Sequence, residues 1–267
     1  MQELPLSAGN VATITKQFES WSPQDIIAWA HGTFGADLVV TSSFGDPVLA
    51  HMMWSTVQGS TVTLIDTQYL FAQTLWYANG LAEQTKGNLE VIAPAETVVP
   101  DDLWQRDTDA CCAIRKVAPL EHALANKSAW ITGLRRDDSA SRANTPLVSH
   151  DMLRDVIKVN PLANFTQSDY DKYLEVHGLN EHPLTTQGYT SIGCWPCTQP
   201  ATADGDARSG RWAGTEKTEC GLHVCDSIPP PHLLQIFGRR PMLNSATSKA
   251  GAPTAPPPAA AEIREIR

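Results

Sequence analysis

A chain of 267 residues with 42% hydrophobic content can bury one substantial core and carry a small appendage. No apolar run approaches the roughly eighteen residues that a membrane-spanning helix needs, and Met1-Gln2-Glu3-Leu4-Pro5 lacks the basic and apolar blocks of a signal peptide. A net charge of −9 argues against nucleic acid as a general partner but leaves a small anionic ligand open.

Residues 10–34 read as two helices, the second opened by Ser22-Pro23, an N-cap followed by proline at the first helical position. The β-branched run Asp37-Leu38-Val39-Val40-Thr41-Ser42 enters a small-residue turn, Ser42-Ser43-Phe44-Gly45, with a helix after it over residues 46–58. Residues 60–65 form a second predicted strand ending at Asp66-Thr67, then a helix over 70–85 and a third strand at 89–92. A helix over 117–124 continues one that begins near Cys111-Cys112. Strands at 129–133 and 156–159 and a short helix at 169–177 complete the pattern. Strands alternating with helices predict an α/β fold, a parallel sheet with helices on both faces. Ligands of such sheets bind beyond the carboxyl ends of the strands. Ser42-Ser43-Phe44-Gly45, Asp66-Thr67, Arg135-Arg136 and Asn160-Pro161 all fall at such ends. Residues 226–267 are rich in proline and alanine, cannot pack a core, and are expected to be mostly disordered.

The cysteines carry the sharpest signal. Cys111 and Cys112 are adjacent, and Cys194-Trp195-Pro196-Cys197 follows roughly eighty residues later. Neighbouring side chains diverge and strain a single tetrahedral zinc ion, whereas a four-iron cluster presents separated corners and takes four thiolates. An iron–sulfur cluster is the expected group. Structural zinc, and cysteines left free or paired in disulfides, are the alternatives. Reduced thiolates without a signal peptide point to the cytoplasm. Cys220, in Glu219-Cys220-Gly221-Leu222-His223, has polar neighbours and reads as a reactive thiol rather than a small buried hydrophobe. Cys225 reads as an incidental tail cysteine.

Ser42, Ser43, Phe44 and Gly45 form a strand–turn–helix junction that suits phosphate, although no Gly-Lys-Ser/Thr follows to make a Walker loop. Asp66 is placed to accept from a ribose or an adenine amine, or to cap the next helix. Lys116, Arg135, Arg136, Arg142, Arg208 and Arg211 recur beside strand ends and cysteine motifs, which favours an anion pocket over a solvated surface. Arg208 and Arg211 lead directly to Cys220, as in a lid that carries charge and thiol together. His223 either tunes the thiol, orients a substrate oxygen or is merely exposed.

Taken in order, Leu64-Ile65-Asp66-Thr67, Cys111-Cys112-Ala113-Ile114-Arg115-Lys116, Gly133-Leu134-Arg135-Arg136-Asp137, Lys158-Val159-Asn160-Pro161-Leu162, the stretch from Gly188 through Cys194-Trp195-Pro196-Cys197-Thr198, and Gly210-Arg211-Trp212 through His223 resemble the assimilatory adenylyl-sulfate (APS) reductases, in their iron–sulfur branch. The resemblance covers about residues 20–224. It implies a Rossmann-like adenine nucleotide α-hydrolase fold, with a nucleotide-binding domain over 1–200, a mobile catalytic segment over 201–225 and a tail over 226–267. It also implies thioredoxin-dependent reduction of APS to sulfite and AMP. Cys111, Cys112, Cys194 and Cys197 match the ligands of one four-iron, four-sulfur (4Fe-4S) cluster, and Cys220 matches the nucleophile. Lys116, Arg142, Arg208, Arg211 and His223 match residues that handle sulfate and phosphate, while Ser42, Ser43, Phe44, Gly45, Asp66, Arg135 and Arg136 correspond to the nucleotide loops. Gly45-Asp46-Pro47 departs from the family's usual wording, and the tail is longer than usual. The rivals are a reductase of 3′-phosphoadenylyl sulfate (PAPS), a zinc-containing ATP pyrophosphatase-type enzyme and an iron–sulfur redox sensor. Homo-oligomerisation is left open.

Overall fold

The computed structural model describes residues 8–202 and 206–223. Cys225 and the proline-rich tail lie outside the described residues. Helices α1 (Ala8–Phe18) and α2 (Pro23–Phe34) precede strand β1 (Leu38–Val40). Ser22 caps α2 by accepting the Asp25 N–H at 3.1 Å, and Gly35, at φ 53°, stops the helix in a conformation few other residues adopt. Helix α3 (Val48–Thr56), strand β2 (Thr61–Ile65), helix α4 (Ala72–Thr85) and strand β3 (Asn88–Ile92) follow. Short helices α5 (Leu103–Arg106) and α6 (Thr108–Cys112) lead through a π-helical turn, Ala113–Val117, into α7 (Ala118–Ala123). Strands β4 (Ala129–Ile131), β5 (Val148–Asp151) and β6 (Val156–Val159) and helix α8 (Gln167–His177) complete the set.

Strands β1, β4 and β6 are parallel, and β2 pairs in parallel with β3. A bridge between Thr41 and Thr63, with the Ser42 N–H donating to the Thr63 carbonyl at 3.0 Å, joins the two sheets into the order β3-β2-β1-β4-β6-β5. From β1 the chain runs outward through β2 to β3 on one side and then crosses back to β4 on the other, so the direction of winding reverses between β1 and β4. The crevice beyond β1 and β4 is therefore the topological switch point. The expected parallel sheet is present, and β5 adds an antiparallel strand to it at the edge beside β6.

Period-2 alternation sends side chains to two cores. Val40, Ile131 and Val159 pack in the larger one with α1, α2, α3, α4 and α8. Val39, Trp130 and Val156 pack on the opposite face with Leu120 and Leu124. Helices therefore cover both faces. None among the described residues is long and apolar enough to cross a membrane.

Buried charge is tied down. Arg154, 1% exposed, donates to Glu121 at 2.6 Å and to Asp151 at 2.7 Å beneath the Trp130 ring. His182, 1% exposed, accepts the Leu184 N–H on Nδ1 at 3.1 Å, and burial pulls its pKa down to about 4, so it is a neutral structural residue. Gly87 lies against Trp54, and a Cβ there would stand 2.2 Å from the indole. Gly87→Ala is expected to cost about 1–3 kcal/mol in urea unfolding, the usual penalty of overpacking. An unchanged midpoint would mean that the indole has room to move.

Candidate functional site

Two adjoining cavities lie at the carboxyl ends of the strands. The larger, about 230 Å³, opens at the switch point. Ser42, Ser43, Gly45, Lys116, Arg135, Arg142, Arg208, Arg211, Cys220 and His223 all line it. Three expected residues do not. Phe44 is fully buried against Trp54 and anchors the loop from behind. The Asp66 carboxylate accepts the Gln68 N–H at 2.8 Å and locks the turn after β2. Arg136 turns away to Glu19, at 2.9 Å, and to the Thr145 carbonyl, at 2.8 Å. The Ser42 and Ser43 hydroxyls accept the Phe44 and Gly45 N–H groups at 3.1 and 3.4 Å, so these loop amides are satisfied within the turn itself.

Sequence reasoning missed several lining residues. Asp46 faces Arg135, accepts the Val48 N–H at 3.0 Å at the start of α3, and burial raises its carboxyl. Thr67 lines both cavities, and Glu219, beside the cysteine, turns inward. The Ser-Ser turn is the local signal at this junction and Asp46 carries none of its own, while nothing local to Glu219 marks its long-range partners.

The segment carrying Cys220 is stitched to the Cys194–Cys197 turn. Thr198 bridges Arg211 in antiparallel sense, and the Trp212 N–H donates to the Cys197 carbonyl at 3.0 Å. Cys220 packs with Cys112 and Trp212 and is 8% exposed. Burial pushes its thiol up, but the Lys116 ammonium, the Leu222 N–H and the Arg211 guanidinium outweigh burial, and the thiol ends below its ordinary value. Lys116 shows the converse balance: burial would lower it, yet Cys194, Cys220 and Cys112 hold it charged well above its usual range. His223 stacks on Trp130 at 5.3 Å with the planes 11° apart, its Nδ1 buried without a partner. Burial, then Lys158, Arg142, Arg154 and Arg208, holds the imidazole neutral. It is a ring fixed by stacking, not an exposed histidine.

The smaller cavity is lined by Cys111, Cys112, Cys194 and Cys197 together with Arg115 and Lys116. None of these cysteines is in a disulfide. The Thr67 hydroxyl accepts the Tyr69 N–H at 3.2 Å and lies 3.1 Å from the Cys194 sulfur. Arg115, 2% exposed, lies over the Tyr69 ring at 4.7 Å and donates to the Val99 carbonyl at 2.6 Å. Burial pushes Cys112 up to about 12 and raises Cys111 and Cys197. A cationic centre would draw their protons off. Among the described residues no three His, Cys, Asp or Glu side chains are grouped to hold one metal ion. Four soft donors ringing a cavity flanked by two cations suit a larger, anionic group better than a single zinc ion.

Gly193 lets the Arg211 guanidinium lie against the backbone, where a Cβ would stand 2.4 Å from Nη2. Gly193→Ala is expected to displace Arg211 and weaken inorganic sulfate binding about tenfold, the ~1.5 kcal/mol of one charged hydrogen bond. Calorimetry checks this, and unchanged affinity would remove Arg211 from the anion site.

The pattern of the phosphoadenosine phosphosulfate reductase domain matches residues 37–200, from the start of β1 to a point before Cys220. An adenosine 5′-phosphosulfate reductase of Streptomyces coelicolor is 44% identical over 214 residues, covering 78% of this chain and 91% of that protein. One from Salinibacter ruber is 42% identical over 230 residues, covering 82% and 91%. Among solved structures, a phosphoadenylyl-sulfate (PAPS) reductase from Candida auris in complex with phosphate superposes with a TM-score of 0.63 at 26% identity, over 74% of this chain and all of that one.

Proposed function

From a chain that belongs to the phosphoadenosine phosphosulfate reductase family, alongside adenosine 5′-phosphosulfate reductases, we propose the following chemistry. The protein is an oxidoreductase that reduces APS to sulfite and AMP in sulfate assimilation. Its larger cavity takes the nucleotide sulfate, and Cys220 is the nucleophile. The observation that carries this reading is the meeting of Lys116, Arg211 and the lowered thiol of Cys220 in one cavity wall.

The Cys220 thiolate attacks the sulfur of APS. A sulfur–sulfur bond forms, the bond from sulfur to the bridging phosphate oxygen breaks, and AMP leaves with the electron pair. Lys116 and Arg211 offset the negative charge that brings thiolate and sulfate into repulsion. His223, neutral on Trp130, offers a ring N–H to a sulfate oxygen without adding charge. A thiolate of a dithiol reductant, which we assign as thioredoxin, then attacks the Cys220 sulfur and expels sulfite. The reductant's second thiol closes its disulfide and returns Cys220 to the thiol state. These steps suit a reducing compartment, here assigned as the cytoplasm.

Cys111, Cys112, Cys194 and Cys197 would hold a 4Fe-4S cluster in the smaller cavity. When bound, that group would supply negative charge beside Lys116 and tie the end of α6 to the Cys194–Cys197 turn.

Anaerobically purified protein incubated with APS alone tests the reading. One added sulfonate on Cys220 by intact and peptide mass is the expected result, with AMP released in equal amount. Turnover without that adduct, or an adduct on another residue, would sink it. The likeness to the Candida auris enzyme makes PAPS the competing nucleotide, and assaying both separates the two. APS is expected to win, because a 3′-phosphate adds a dianion that needs its own partners.

A further inference from the structure

Glu219 is the group the chemistry above leaves unused. Its carboxylate accepts two hydrogen bonds from Arg142, Nε to Oε1 at 2.8 Å and Nη2 to Oε2 at 3.1 Å. It also accepts one from Arg208, Nη2 to Oε2 at 3.3 Å. Arg142 spends its remaining nitrogen on Asp138 at 2.8 Å, and Arg208 its other contact on the Thr218 carbonyl at 3.0 Å. All three side chains of the Glu219 cluster line the larger cavity. The cluster is well shielded, the arginine side chains each 13% exposed and Glu219 25%. The two-pronged contact has the geometry with which a guanidinium grips any oxyanion.

The other half of the cationic wall differs. Among the described residues the Arg211 guanidinium lies over the Trp212 ring at 4.6 Å and hydrogen-bonds the Ser191 hydroxyl at 3.4 Å, with no carboxylate on it, and its Nε is buried with no partner. One pair of guanidiniums is thus filled by the chain's own carboxylate, and a third is left for something else. The carboxylate sits one residue before Cys220. Between the Thr198–Arg211 bridge and the His223–Trp130 stack, the segment is tied to the body by two side-chain ion pairs, Glu219 to Arg142 and Lys217 to Asp109.

We propose that Glu219 is a built-in stand-in for a substrate anion: it occupies Arg142 and Arg208 in the empty enzyme, latches the Cys220 segment onto the cavity, and is displaced when a sulfate or phosphate group takes those arginines. The proposal rests on the reading of the cavity as an anionic nucleotide site. An intrachain carboxylate competes at high effective concentration, so it lowers affinity for every anion and favours a ligand that brings enough charge to displace it. Exchange of Glu219 for the incoming anion loosens the 213–222 stretch, while apolar packing against Trp212 and Cys112 keeps Cys220 in reach.

The test uses the full chain, inorganic sulfate and AMP, and needs no turnover. Calorimetry should find sulfate bound about tenfold more tightly by Glu219→Gln than by the unsubstituted protein, since a neutral amide competes poorly for guanidinium. Glu219→Asp, which keeps the charge but shortens the reach, should fall between them. Hydrogen exchange gives the second readout. In the unsubstituted protein sulfate should speed exchange of amides 213–222. In the Gln variant these amides should exchange fast already, with the strand amides protected as before. Sulfate that binds equally to all three proteins, or that slows exchange of 213–222 in the unsubstituted protein, overturns the latch and leaves the nucleotide site standing. Neither sulfate nor AMP binding to any of them overturns both.

Discussion

Cys220→Ser is expected to stop turnover while leaving AMP and APS bound within about tenfold of the unsubstituted protein. The substitution changes one atom in a site that is 8% exposed and already packed against Trp212 and Cys112, so shape is preserved. Lys116 and Arg211 stay, and with them the attraction for anions. The hydroxyl loses the ionisation: a serine beside one ammonium stays protonated near neutral pH, whereas the thiol is already shifted toward thiolate. It also forms no bond that a dithiol can exchange. The rate should fall by at least ~10,000-fold, about 5 kcal/mol of barrier, and no sulfonate adduct should appear. Steady-state sulfite release and intact mass, measured on one preparation, check both halves. Sulfite production above a few per cent of the unsubstituted rate would remove Cys220 from the nucleophile's role. Cys225, outside the described residues, would then be the residue to replace next.

What the sequence makes legible follows from how local each signal is. The runs at β1, β4 and β6 are apolar and bounded by turns, so the strands follow from them, whereas their order in the sheet, and with it the switch point, is set by the fold. Strand β5, Val148-Ser149-His150-Asp151, is short and mostly polar, and it exists because β6 offers an edge to pair with. Nothing inside those four residues announces it. The adjacent arginines teach the same lesson at the site. Arg135 lines the cavity while Arg136 turns to Glu19, 117 residues earlier, and no property of the dipeptide decides which faces where. The residue types of the thiol and cation constellation are plain in the sequence. The pairing of Glu219 with an arginine 77 residues away is not, nor is the stacking of His223 on a strand tryptophan. Both are products of the fold that brings the segment back across the strand ends.

Cys194→Ser should abolish iron binding. Protein made with ample iron and purified without oxygen is expected to be brown and to hold about four irons per chain, and the variant to be colourless with less than about one. The backbone at this position is fixed independently of the sulfur. The Cys197 N–H and the Thr198 hydroxyl donate to the Cys194 carbonyl at 3.0 and 2.8 Å, and Cys194 bridges Leu70. Serine therefore keeps the turn and removes only the soft donor. A serine hydroxyl is a harder and far less acidic ligand than a thiol, and three thiolates leave one corner of a four-iron group open to solvent. The far-ultraviolet dichroism of the α/β core should survive, since the cores on both sheet faces do not include Cys194. Anion binding should hold or strengthen, because Lys116 lines both cavities and the loss of negative charge on its far side leaves more of its own charge for an anion. Thr67→Ala is the control: it removes the hydroxyl 3.1 Å from the same sulfur but no ligand, so iron should stay and only the absorbance envelope should shift. Stoichiometric zinc in the unsubstituted protein made with ample iron, or full iron in the serine variant, would overturn the cluster and return the four cysteines to a structural role.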